Sequence, residues 1–259
     1  MSYINIRHGI KERQTIFFDM IKNSGMTISN QTKLELLNDM EDYWKELRPT
    51  DKIPCKSTNR VKVLEKQWYD SMPKPDYSVY SHENYFIDVF LCWAMYSRRY
   101  ITKMGKHDMF QNLNTIVDLG CGPGFTTDAL NEVFNPKRTV GTNIKNTWQW
   151  THARNIGVEI VENIKEVDTQ IDLIVAFEYF EHVPNPIEHL KEILAHCQPE
   201  FFAIRNEFIH DAIGHFFKND KALRTLFNNT MKSYGYIDLK NSKGHNLFFG
   251  GSPRIWQKT

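Results

Sequence analysis

Three glycines spaced two apart, Gly120, Gly122 and Gly124, follow directly on the apolar run Thr115-Ile-Val-Asp-Leu. A strand that runs into such a turn lets the backbone bend sharply and pass close to a ligand, because glycine has no Cβ to obstruct it. A nicotinamide fingerprint needs its third glycine where Phe125 stands, so the spacing points to another ligand. Asp118, just ahead of the turn, offers an acceptor that suits an ammonium group and does not suit a pyrophosphate. Glu178 and His182 follow the apolar run Ile171 to Phe177. They stand where open α/β sheets bind ligands, and a carboxylate or imidazole there can take a proton from an acceptor. Arg205 and Asn206 are similarly placed after the next strand, and Arg205 suits an acidic substrate group. His210 and His215 are weaker candidates, and the irregular histidine spacing offers no metal set.

These residues need elements to hold them. The first half reads as helices: one from about Ile10 to Ser24 stopped by Gly25, one carrying Leu37, Met40, Trp44 and Leu47, and a shorter one carrying Val61, Leu64 and Trp68. Ser71-Met-Pro-Lys-Pro-Asp breaks the helical pattern and divides an N-terminal helical extension, 1–75, from the remainder, 76–259. From Ser81 to about Met104 a longer helix places Phe86, Val89, Phe90, Trp93, Tyr96 and Tyr100 on one face. The period then changes. Strands are expected at Thr115 to Leu119, Arg138 to Ile144, Val158 to Val161, Ile171 to Phe177 and Phe201 to Ile204, with a helix from Phe125 to Phe134 and further helical material between. This alternation predicts a Rossmann-like α/β fold with a mainly parallel sheet covered on both faces. Tyr236 to Leu239, Leu247 to Phe249 and Ile255-Trp256 are too closely spaced for helical crossovers and predict an antiparallel C-terminal hairpin at the sheet edge.

The glycine turn resembles the first motif of the class I S-adenosylmethionine-dependent methyltransferases, a strand ending in an acidic residue and Gly-x-Gly-x-Gly. Val140-Gly-Thr-Asn-Ile144 stands at the distance of that family's second strand, where Asp or Glu usually holds both ribose hydroxyls. This chain has Asn143, whose amide accepts one hydroxyl proton and donates a bond back without the charge-assisted strength of a carboxylate. The run Phe177-Glu-Tyr-Phe-Glu-His-Val-Pro184 resembles the fourth motif of the small-molecule branch, and the likeness spans about residues 76 to 259. It implies S-adenosyl-L-methionine as cofactor, held by Asp118, Gly120, Cys121, Gly122, Gly124 and Asn143. Ile144 would lie on the adenine, Asn163 and Ile164 near its exocyclic amine, and Phe177 beside the cofactor. Tyr77, Tyr80 and Tyr85, at the junction with the extension, are the aromatics expected to touch cofactor or acceptor: Tyr80 the cofactor, Tyr85 and Arg205 the substrate. Glu178 and His182 are the expected catalytic residues, with no metal. Gln198-Pro-Glu replaces the family's usual turn before the fifth strand.

Composition excludes other classes. The 32 basic and 31 acidic residues leave a net charge of +1, so bulk attraction to nucleic acid or anionic lipid does not arise. No apolar run reaches the length of a membrane span or of a secretory signal. Cys55, Cys92, Cys121 and Cys197 lie far apart without a Cys-x-x-Cys pair, which suggests a reduced, cytoplasmic protein. The Asp/Asn-Pro-Pro-Tyr of amino-methylating DNA enzymes is missing after the fourth strand, and Pro54-Cys55 lies far from where a cytosine-C5 nucleophile belongs. The preferred reading is methyl transfer to an oxygen or nitrogen of a small or medium-sized metabolite. Two alternatives remain: RNA or nucleotide modification, suggested by Arg98, Arg99, Lys103 and Lys106 around Tyr100, and a non-catalytic cofactor-binding subunit of a partner enzyme. The oligomeric state is not legible.

Overall fold

The computed structural model describes residues 10–46, 59–92, 100–206, 208, 212–217, 220–239 and 253–259. Five strands run parallel in the order β3-β2-β1-β4-β5: β1 (Thr115–Asp118), β2 (Arg138–Thr142), β3 (Glu159–Val161), β4 (Leu173–Phe177) and β5 (Phe201–Arg205). Beyond β5 the pattern inverts: β7 (Arg254–Lys258) pairs antiparallel with β5, and β6 (Tyr236–Asp238) pairs antiparallel with β7 at the edge. The expected hairpin is therefore present, with its outer strand first in sequence; Leu247 to Phe249 lie outside the described residues.

Residues alternate across the sheet with period two, and the two faces bury separate cores. Val117, Ile174, Ala176, Phe202 and Ile204 face one core, closed by Leu190, Ile193 and Leu194 of α8 (Pro186–His196) and by Phe227 and Met231 of α9 (Lys221–Ser233). Ile116, Leu173, Val175, Phe177, Phe201 and Ala203 face the other, closed by Ile101 and Met104 of α5 (Ile101–Met104) and by Ala129 and Leu130 of α6 (Phe125–Phe134). The apolar runs of β1, β4 and β5 thus follow from burial on both sides. Strand β3 leads to a single turn of 3-10 helix, Ile164–Glu166, in place of a full crossover helix.

A third core lies over the carboxyl ends of the strands. It joins the amino-terminal helices α1 (Ile10–Asn23), α2 (Asn30–Glu46) and α3 (Asn59–Asp70) to the rest. Phe17, Met20, Leu36, Met40, Val61, Leu64 and Trp68 pack with Val79, with Phe86 and Phe90 of α4 (Tyr85–Cys92), with Trp148 of α7 (Trp148–Asn155), and with Ile213. Phe86 stacks on Trp148 with ring centroids 4.2 Å apart. The break at Ser71 to Asp76 is a real interruption of the helices, yet the core runs across it. Of the long helix expected from Ser81 to Met104, the described residues show α4 and α5, preceded by a 3-10 turn at Tyr77–Ser81; 93–99, with Trp93, Tyr96, Arg98 and Arg99, lie outside the described residues. No helix among the described residues is long and apolar enough to cross a membrane.

Candidate active site

The glycine turn is built from left-handed backbone: φ is 66° at Gly120, 54° at Gly122 and 88° at Gly124. The three differ in what surrounds them. A Cβ on Gly120 would lie 2.5 Å from the Tyr179 ring, and one on Gly124 would lie 3.0 Å from Ala153, so both glycines serve packing. A Cβ on Gly122 would meet nothing within 4 Å. Gly122 alone of the three faces open space, just past the carboxyl end of β1. Cys121 turns the other way: it is buried, its Sγ sits where a Cβ on Gly141 would fall, and burial raises its thiol well above the usual range.

Asn143, one residue past β2, braces the turn. Its Nδ2 donates to the Gly122 carbonyl at 2.8 Å, and its Oδ1 accepts the Ile144 N–H at 2.8 Å. One amide hydrogen and one lone pair remain for a ligand. Ile144 follows as an apolar side chain 54% exposed. An aspartate at position 143 would keep the Ile144 bond but set a negative oxygen against the Gly122 carbonyl. Asn143→Asp is therefore expected to weaken S-adenosylhomocysteine binding by about 1–2 kcal/mol, measured by calorimetry; tighter binding would show that the ribose contact outweighs the brace.

Asp118 is buried at 2% exposure and accepts the Thr127 hydroxyl at 2.7 Å. Desolvation pushes its acid up to about 7, against the lowering effect of Thr127. The folded chain then keeps a proton that the unfolded chain loses near pH 4, so this group's contribution to stability falls as pH rises from about 4 to 7. Asp118→Asn should remove that slope: in urea unfolding the variant gains on the parent at pH 8 and not at pH 4. An unchanged difference between the two pH values would contradict the burial argument.

Asn163 caps the 3-10 turn after β3, its side chain accepting the Lys165 N–H at 3.0 Å while Glu166 reaches back to the Asn163 N–H at 2.9 Å. Ile164 and Phe177 turn their side chains into core: Ile164 is buried with Val117 and Val140, and Phe177 packs edge-on against Tyr100 at 5.7 Å.

The chemistry-bearing residues after β4 and β5 meet. Glu178 takes φ of 51°, a strained region for a residue with a side chain, and donates its N–H to the Arg205 carbonyl at 2.8 Å. The Arg205 guanidinium lies 3.0 Å from the Glu178 carboxylate, with both side chains mostly buried. The His182 Nδ1 lies 3.0 Å from the Tyr80 hydroxyl, and Tyr80 packs edge-on against Tyr85 at 5.4 Å. Burial and the neighbouring His215 hold the His182 ring well below the usual histidine range, which favours the neutral imidazole. Burial likewise raises the Tyr80 phenol.

Nothing in the sequence spacing marks what covers these side chains. The segment 212–217 lies across them, and α3 holds the segment down. Trp68 Nε1 donates to the His215 carbonyl at 3.0 Å, and the Tyr69 hydroxyl both donates to the Ala212 carbonyl at 3.1 Å and accepts the Ala212 N–H at 3.2 Å. Gly214 runs so close to His182 that a Cβ there would lie 2.5 Å from Nδ1 and overlap the Tyr80 hydroxyl. His215, at 4% exposure, stands edge-on to His182 with centroids 4.8 Å apart. Glu181, fully buried, was missed although it directly precedes His182 in sequence; His210 lies outside the described residues.

A methyl donor of the S-adenosylmethionine type fits this arrangement on two observations, the open space above Gly122 and the apolar Ile144 exposed beside it. Comparison with curated protein sequences gives no match. Among solved structures, the chain is similar to human N-acetylserotonin methyltransferase in complex with SAM, at 15% identity over 93% of this chain and 70% of that one, with a TM-score of 0.48. It is similar to the mitomycin 7-O-methyltransferase MmcR at 12% identity over 77% of this chain and 66% of that one, TM-score 0.49. In a Haloferax volcanii complex of the Trm112 methyltransferase activator with a methyltransferase, the likeness is 20% identity over 49% of this chain and spans 63% of the matched chain, TM-score 0.39. The family model described as a methyltransferase domain matches residues 93–230. Because that match exceeds half of the chain and takes in all five parallel strands that position the site, the chain belongs to the methyltransferase domain family, enzymes whose methyl donor is S-adenosylmethionine.

Proposed function

We propose that the protein transfers the methyl group of S-adenosylmethionine to an oxygen or nitrogen of a small or medium-sized metabolite, inside the chamber between the glycine turn and the segment 212–217. The observation that carries this reading is the hold of Trp68 and Tyr69 on the 212–217 segment, which packs against His182 and Tyr80. A walled chamber suits an acceptor that enters whole and is sheltered from water. In this reading Asp118, the backbone of Gly120 to Gly124, and Asn143 hold the donor, Ile144 covers its adenine, and Asn163 lies near the exocyclic amine. Tyr80 stands beside the donor, and Tyr85 and the Arg205–Glu178 pair line the acceptor side. The helices of 1–75 form a wall of the chamber.

The bound donor supplies an electrophilic methyl on a good leaving group, so the chain's task is alignment and exclusion of water. Arg205 orients Glu178, and Tyr80 with Gly214 fixes the His182 ring. A neutral His182 can accept a hydrogen bond from an acceptor hydroxyl or amine and hold its lone pair toward the methyl carbon.

Incubation with methyl-labelled S-adenosylmethionine and separate pools of small phenols, alcohols and amines, or of RNA, tests the reading. Label in a small-molecule product is expected. Label confined to RNA would overturn it in favour of a nucleic-acid enzyme, and no transfer from bound donor to any pool would favour a cofactor-binding subunit.

A further inference from the structure

We propose that Glu178, Glu181 and His215 form a divalent-cation site in the floor of the acceptor chamber. Each of the three offers one ligand atom, and these atoms lie within 4.8 Å of one another. Oxygen ligands sit about 2.0–2.6 Å from such an ion, so two ligands on opposite sides of it are about 4–5 Å apart, and the set can close on a single ion. It is a mixed set of two carboxylates and an imidazole gathered from two loops, after β4 and after β5. Spacing in sequence does not show it; the fold makes it.

The surroundings favour a cation on independent grounds. The site gathers two carboxylates where Glu181 is fully buried, and the Arg205 guanidinium is engaged with Glu178. Asp88, on α4, has its acid pushed up to about 7, first by burial and then by the charges of Glu65 and Glu178. The ligands are also held in advance. Trp68 fixes the main chain of His215, and His182, edge-on to His215, is itself fixed through its Nδ1 by Tyr80.

The donors suit a transition ion such as manganese, which takes carboxylate and imidazole together, better than calcium, which prefers oxygen throughout. Three protein ligands leave positions for an acceptor oxygen. The role of the ion, unlike its binding, rests on the small-acceptor reading. An acceptor hydroxyl ligated there would become more acidic and would pass its proton to His182; the oxygen lone pair would then form the bond to the methyl carbon. The carbon–sulfur bond breaks with its electron pair left on sulfur, giving the methyl ether and S-adenosylhomocysteine.

The test is titration of the full-length protein with manganese chloride, following the free ion by electron paramagnetic resonance. Wild type is expected to bind one ion per chain at sub-millimolar concentration, with affinity reduced at least about tenfold in Glu181→Gln and in His215→Gln. Glu178→Gln, at a less buried position, serves if circular dichroism shows Glu181→Gln to be unfolded. No binding by wild type, or equal affinity in the folded variants, would overturn the site. S-adenosylhomocysteine calorimetry on the same samples keeps the two readings apart. Methyl transfer to small acceptors by a protein that binds no manganese would remove the ion alone, whereas manganese binding with label confined to RNA would remove the small-acceptor reading alone.

Discussion

Gly122→Val is expected to give a folded protein that no longer binds S-adenosylhomocysteine, whereas Gly120→Ala is expected to be poorly folded. The two substitutions act two residues apart on the same turn, and both replace a glycine at positive φ, 54° at Gly122 and 66° at Gly120. The backbone strain of placing a side chain there is similar, about 1–2 kcal/mol. What differs is the neighbourhood. A Cβ at Gly120 would run into the Tyr179 ring at 2.5 Å, and that ring is held by a 2.8 Å bond between its hydroxyl and His189, so it cannot move aside cheaply. A Cβ at Gly122 meets no protein atom within 4 Å, and the valine side chain would occupy the volume proposed for the donor. Calorimetry on Gly122→Val, with circular dichroism to confirm folding, should show affinity reduced by a hundredfold or more, about 3 kcal/mol. Unchanged affinity in the folded variant would remove the donor from this turn.

Trp68→Ala should have the largest effect on stability. The side chain is fully buried, donates to the His215 carbonyl, and meets Phe216, Tyr77 and Tyr80 edge-on at 5.3, 5.7 and 6.1 Å. Removing it leaves a cavity under the 212–217 segment at a cost of about 3–5 kcal/mol, read in urea unfolding. Trp68→Phe keeps most of the packing and loses the donor, for about 1 kcal/mol. In the phenylalanine variant methyl transfer should fall by more than donor affinity does, because Trp68 backs Tyr80 and His215 and stands apart from the glycine turn. Equal losses in both would mean that α3 supports the fold generally and not the chamber.

Much of the sheet was legible in sequence because strands buried on both faces read as short continuous apolar runs. Leu173 to Phe177 and Phe201 to Ile204 need no partner to be recognised, and Phe125 to Phe134 is bounded by the glycine turn ahead and Asn135, in left-handed backbone, behind. The glycine turn and the Glu178 to His182 stretch were legible for the same reason: local spacing fixed their place at strand ends. Contacts between distant segments were not. His215 comes under Trp68 across 147 positions, and Gly214 reaches His182 only through the tertiary fold. The prolines around Lys74 report a local break in helix, whereas the shared packing of Leu64, Phe86 and Trp148 depends on three-dimensional docking that periodicity does not encode. Asn143 was read as a ribose ligand by position alone; its bond to the Gly122 carbonyl follows from how closely the turn passes β2.

The most direct measurement is a crystal structure of the protein with S-adenosylhomocysteine. The account predicts the ligand over Gly122, its ribose beside Asn143, its adenine against Ile144, and its sulfur facing the chamber lined by Tyr80, Glu178 and His182. A ligand bound elsewhere, or with its sulfur turned away from that chamber, would contradict it.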